Sequence, residues 1–82
     1  MHKWYVYIIR ASDDSLYTGV TTDIERRFQE HGTQRGAKFF CGRSPVAIEY
    51  REAFANRSNA QKREAEIKML SRLEKLALIA GQ

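Results

Sequence analysis

The sequence predicts an α/β (α+β) fold: a three-stranded, mainly antiparallel sheet flanked by helices, in the order β-β-α-β-α-α. Three observations predict it. Residues 3–10 and 15–20 read as two short strands around the polar turn Ala11-Ser12-Asp13-Asp14. A helix start signal follows the second strand at once. A further alternating run, residues 46–54, then precedes two more helical stretches.

Pairing the first two strands antiparallel about Ser12 sets Tyr5 opposite Gly19, Tyr7 opposite Tyr17 and Ile9 opposite Ser15. Side chains alternate across a strand, so these residues share one face. The other face carries Trp4, Val6, Ile8, Leu16, Thr18 and Val20, nearly all apolar. One face is expected to make core, and the other to gather tyrosines beside a glycine.

The first helix is expected over 23–31, with Thr22 as N-cap and Glu25 closing a capping box. Gly32 is a usual stop. A step of about 100° per residue puts Ile24, Arg27, Phe28 and His31 on one stripe, with Arg26 and Glu30 off it as an exposed i,i+4 pair. An arginine and a histidine on an apolar stripe are costly without partners. Two of them beside a tyrosine-rich face and a glycine point to a site.

Residues 33–45 form a loop rich in glycine and in cations, with Arg35, Lys38 and Arg43 around Phe39 and Phe40. Such a loop either is pinned to the core by its phenylalanines or tracks phosphates with an aromatic ready to stack on a base. Residues 46–54 follow as the third strand, with Val46, Ile48 and Tyr50 alternating against Ala47, Glu49 and Arg51. The second helix is expected over 57–70, opened by the box Ser58-Asn59-Ala60-Gln61, and the third over 71–80. On the second, Ala60, Glu64, Ile67 and Ser71 share an arc, which sets Glu64 beside apolar positions. Helical geometry leaves Glu66 open as an alternative acid. As surface residues, Glu64 would pair with Lys68 and Glu66 with Lys62.

Tyr5-Val6-Tyr7, Tyr17-Thr18-Gly19, Arg27 ten residues past the second tyrosine, His31 four further on and a late helical glutamate together resemble the GIY-YIG nuclease signature. The likeness is closest to the small standalone bacterial branch of that superfamily and covers essentially the whole chain. In this sequence Tyr5 replaces the first motif's glycine and Thr18 the second motif's isoleucine. Val20 stands where some relatives carry a lysine, so that cation's role does not carry over. The segment Ala60 to Lys68, AQKREAEIK, resembles the family's metal-binding stretch, with Glu64 on its glutamate.

Eighty-two residues fit one small domain, residues 1–82, whose 43% hydrophobic content suffices for a modest core. The single cysteine, Cys41, excludes an intrachain disulfide and a cysteine-rich zinc site. Met1-His2-Lys3 leads straight into a strand, and no apolar run nears the roughly 18 residues of a membrane span. A reducing cytoplasm is therefore expected. A net charge of +4 and a pI near 9.5 favour a polyanionic partner.

The resemblance implies a metal-dependent endonuclease acting on DNA, in repair or recombination. With no recognition domain, cutting would follow nucleic-acid structure rather than sequence. Glu64 would hold one Mg²⁺ or Mn²⁺ through carboxylate oxygen, and Arg27 would bind the scissile phosphate with its two-pronged guanidinium. Tyr7, Tyr17 or His31 would act as general base; a phenol manages this only where cations stabilise its phenolate. Tyr5, Gly19, Arg26, Arg35, Lys38 and Arg43 would contact the nucleic acid, with Gly19 letting backbone approach a phosphate. The rival readings are a DNA or RNA binding module with little catalysis and a scaffold that docks onto a protein partner.

Overall fold

A computed structural model describes residues 3–33 and 38–82. Along the chain run β1 (Trp4–Ala11), β2 (Leu16–Thr21), α1 (Ile24–Gly32), a short 3-10 turn (Lys38–Phe40), β3 (Pro45–Phe54), α2 (Arg57–Lys68) and α3 (Arg72–Ala80). The strands form one antiparallel sheet in the order β2-β1-β3. The order and type of the three strands and three α-helices are those read from the sequence, while the 3-10 turn falls in the stretch expected as loop.

The hairpin register differs by two residues from the expected one. Tyr7 faces Gly19, Ile9 faces Tyr17 and Tyr5 faces Thr21. The turn explains the slip. Asp14 takes a left-handed φ of 68° and its N–H donates to the Ala11 carbonyl at 2.9 Å. Asp13 accepts both the backbone N–H and the hydroxyl of Ser15, which centres the reversal beyond Ser12. A shift of two preserves parity, so the facial assignment of every hairpin residue survives.

Both faces of the sheet are core, which corrects the expectation of a single apolar face. On one side Val6 and Ile8 pack with Tyr50 and with Ala60 and Ile67 of α2. On the other, Tyr7, Ile9 and Ala11 pack with Ile24 of α1 and Phe40 of the 3-10 turn. The central strand is therefore buried without interruption from Val6 to Ile9. Strict alternation fails in β3 for the same reason. Glu49 is an extra residue opposite the Ile8–Ile9 step, so Tyr50 opposes Ile8 while Ile48 opposes Ile9. The bulge sends Tyr50 to the α2 side and Ile48 to the α1 side. Glu49 itself binds Arg10 at 3.0 Å.

The helix caps also moved. Asp23 caps α1 by accepting the Arg26 N–H at 3.1 Å, in place of Thr22. Asn56 caps α2 by accepting the Asn59 N–H at 2.9 Å, two residues ahead of Ser58. Asp and Asn are the stronger caps of each pair or its equal. A full capping box forms instead at α3, between Ser71 and Glu74, and α2 ends at Lys68, short of Leu70.

Candidate active site

The site grows from the pairing of Tyr7 with Gly19. Tyr7 is 1% exposed, and its ring lies across the glycine on the neighbouring strand. A Cβ built on Gly19 would stand 2.6 Å from Tyr7 Cζ. Gly19 is thus buried beneath the phenol, and its missing side chain makes room for the ring. Gly19→Ala should cost about 1–3 kcal/mol of stability, as overpacking does. Denaturant midpoints of parent and variant check this; equal midpoints would mean the ring can slide aside freely.

α1 lays its stripe over this face. His31 is buried, and the Tyr7 hydroxyl lies 3.1 Å from its Nε2. Phe40 stacks against the imidazole with centroids 4.4 Å apart. Burial first, and the Arg27 charge second, hold His31 below its ordinary pKa. Burial and the neighbouring Tyr17 push Tyr7 well above the phenolic range, against the pull of Arg27. At neutral pH both groups are therefore uncharged. The Tyr7 hydroxyl and His31 Nε2 are thus placed to share one proton across 3.1 Å.

The histidine also makes a pH prediction. Because the folded state resists protonation of His31, the unfolded chain takes up the proton first as pH falls below about 6.5. Stability present above that pH should drain away on acidification towards pH 5. A His31→Gln variant should lose this component, which denaturant melts at about pH 7 and pH 5.5 would read. An identical acid-side loss in the variant would assign it to other groups.

Tyr17 is half-buried beside Tyr7, His31, Phe39 and Phe40, with ring centroids 5.2–6.2 Å away. Arg27 is half-exposed and bridged to Glu30 at 3.2 Å, while Arg26 is more exposed and reaches Glu30 at 3.5 Å. From α2, the Glu64 side chain is 22% exposed and pairs with Lys68 at 3.1 Å. Glu66 is 66% exposed and bound at 3.0 Å by Arg63, which takes the place expected for Lys62.

Tyr7, Tyr17, Arg27 and Glu64 open onto one cleft of about 230 Å³. It sits at the β2 edge and draws residues from both faces of the sheet: Tyr7 and Tyr17 from one, Trp4 and Val20 from the other. Arg57 and Gln61 complete the lining. Trp4, Arg57 and Gln61 were not singled out from the sequence as cleft residues, and Val20 only as the position where some relatives carry a lysine. The spacing of Arg57, Gln61 and Glu64 along α2, i, i+4 and i+7, was the signal available for two of them.

Other expected contacts lie elsewhere. Tyr5 packs in the α1-side core. Arg26 borders a neighbouring depression with Thr22 and Asp23, joined to the cleft through Arg27, which lines both. Arg43 is committed to Asp13 and to the Phe39 carbonyl, both at 2.8 Å, and stands over the Phe39 ring at 4.5 Å. Phe40 is fully buried and Phe39 half-buried, so the loop is pinned to the core. Lys38 is exposed at the start of the 3-10 turn. Arg35 lies outside the described residues.

Among the described residues no three His, Cys, Asp or Glu side chains cluster as a metal cage. The cleft instead offers one carboxylate beside two phenols. Such an all-oxygen, sparsely charged donor set fits a hard ion such as Mg²⁺, which keeps most of its waters and takes one or two carboxylates plus substrate phosphate.

Residues 3–77 match the family of the GIY-YIG catalytic domain. A UPF0213 protein of Staphylococcus haemolyticus is 48% identical over 79 residues, spanning 96% of each chain. One of Natronomonas pharaonis is 47% identical over 78 residues, 95% of this chain and 92% of the relative. The solution NMR structure of a UPF0213 protein from Bacillus halodurans aligns with a TM-score of 0.63 at 40% identity, covering 98% of this chain and 85% of that one. Among the described residues no helix is long and apolar enough to cross a membrane.

Proposed function

The chain belongs to the GIY-YIG catalytic-domain family, a nuclease family, and from that premise we propose that it is a divalent-metal-dependent endonuclease that cuts DNA by structure rather than sequence. The observation that carries this is the convergence of Tyr7, Tyr17, Arg27 and Glu64 on one cleft from four different elements. Phosphodiester hydrolysis needs a deprotonated water, positive charge on the non-bridging oxygens and help for the leaving oxygen.

Arg27 meets the second need. Its guanidinium stays charged and can grip two phosphate oxygens at once. Held by Glu64, a divalent ion would add Lewis-acid charge at the phosphate and the leaving oxygen. The base is the Tyr7–His31 pair. Alone, Tyr7 binds its proton too tightly to act at neutral pH. Passing that proton to the neutral Nε2 of His31, 3.1 Å away, lets the phenol oxygen take one from water in the same step. His31 ends as the imidazolium and Tyr7 as the phenol, so the protons balance. Tyr17, beside Tyr7 at the cleft wall, orients the water.

A panel of flapped, nicked, branched and single-stranded DNA, with matched RNA, incubated with Mg²⁺ or Mn²⁺, tests the reading. DNA cleavage that favours one structure across unrelated sequences is expected. Binding without cleavage on every substrate would leave only a nucleic-acid binding module.

A further inference from the structure

Arg57 opens α2 at the rim of the cleft that holds Tyr7, Arg27 and Glu64. Its guanidinium lies over the Trp4 indole, 5.4 Å from the ring centroid. Every other described arginine pairs with a carboxylate within 3.5 Å, except Arg72, which donates to the Asp14 carbonyl. Among the described residues, Arg57 alone of the arginines has neither kind of partner. It also stands at the positive end of a helix dipole, in a first turn with no acidic residue, where a cation works against folding. A charge kept in that position, lying on an aromatic face beside a cleft, is available to an incoming anion.

The two sides of the cleft show what that anion is. α1 packs on one face of the sheet and brings Arg27; α2 packs on the other and brings Arg57. The strands give that second side only Trp4 and Val20, and so no charge of their own. The geometry points to Arg57 as the second phosphate-binding group of the cleft, gripping the phosphate next to the scissile one, with Trp4 as the residue that positions it. Stacking occupies the flat face of a guanidinium and leaves its in-plane N–H donors for phosphate oxygens. The substrate is then a strand with at least two consecutive phosphates, spanned between α1 and α2. This rests on the nuclease reading and adds to it a substrate contact on α2.

The test is binding of a labelled single-stranded DNA oligonucleotide across about 50–200 mM salt, with EDTA present to stop turnover. For Arg57→Gln the slope of log affinity against log salt should shrink by about 0.7, the share of one phosphate contact on a single strand. Arg57→Lys should keep the slope with weaker affinity, because the charge remains and the planar stack is lost. Trp4→Leu should weaken binding, and Trp4→Phe should restore most of it by returning an aromatic face. An unchanged slope in Arg57→Gln, with the parent binding or cleaving, overturns the Arg57 assignment alone. A parent that neither binds nor cleaves overturns the nuclease reading and this assignment with it.

Discussion

Glu64→Gln should lose cleavage by on the order of 10³-fold or more, while Glu66→Gln, two residues along the same helix, should cleave like the parent. The contrast follows from where the carboxylates point. Glu64 lines the cleft with Tyr7, Tyr17 and Arg27, whereas Glu66 stands on the exposed side of α2 in the grip of Arg63. Glutamine keeps the shape and hydrogen bonding of Glu64 and removes only the charge a metal ion needs. Charge stabilisation by such an ion is worth several kcal/mol, and each 1.4 or so is tenfold in rate. Stability should hardly move in either variant. Each loses one partly exposed ion pair, with Lys68 or Arg63, worth about 0–1 kcal/mol. DNA binding by Glu64→Gln should be unchanged or tighter, because a negative charge facing the phosphate is gone. A dead Glu66→Gln beside an active Glu64→Gln would put the metal site on the wrong side of the helix.

Arg27→Ala should cost about 2–4 kcal/mol of transition-state stabilisation, by analogy with the loss of an oxyanion donor. Arg26→Ala should chiefly weaken binding. The residues are adjacent, yet Arg27 lines the cleft with Tyr7 and Glu64, while Arg26 borders a neighbouring depression that Arg27 also reaches. Both share Glu30 as a carboxylate partner, so loss of an ion pair cannot account for any difference between them. Arg27→Lys should recover only part of the rate, since a point charge cannot reproduce the two-pronged grip. Single-turnover rates at saturating DNA separate chemistry from binding here. Equal losses in the two alanine variants would mean that the apolar stripe on α1 singled out the wrong arginine.

The helical stripe and the strand parity were legible because both are periodicities. They put Arg27 and His31 on the buried side of α1, and Tyr7 and Tyr17 on one face of the hairpin, and the structure keeps all four there. The register was not legible. It depends on which turn residue takes a left-handed φ, and Asp14 does so while Asp13 ties the loop to Ser15. The bulge at Glu49 was hidden for a related reason. An alternating run carries no mark of the point where a strand must start serving the opposite face. Gly19 was singled out, but the room it makes for the Tyr7 ring was not legible, because that contact depends on the register. Trp4 and Arg57 escaped because they meet only when β1 and the start of α2, more than fifty residues apart, are folded together. Arg43 was legible as a basic loop residue, but its bonds to Asp13 and to the Phe39 carbonyl, each distant or irregular in sequence, were not.

The central claim, hydrolysis by this cleft with a divalent ion, is tested most directly by one rate measurement. Metal-stripped parent protein is mixed with a branched DNA, and initial cleavage is followed as Mg²⁺ is titrated in. The cleft described here predicts no cleavage in EDTA, a saturable rise in rate with Mg²⁺ for the parent, and no rise for Glu64→Gln. Cleavage by the parent that persists in EDTA, or a Glu64→Gln titration that overlays the parent's, would contradict it.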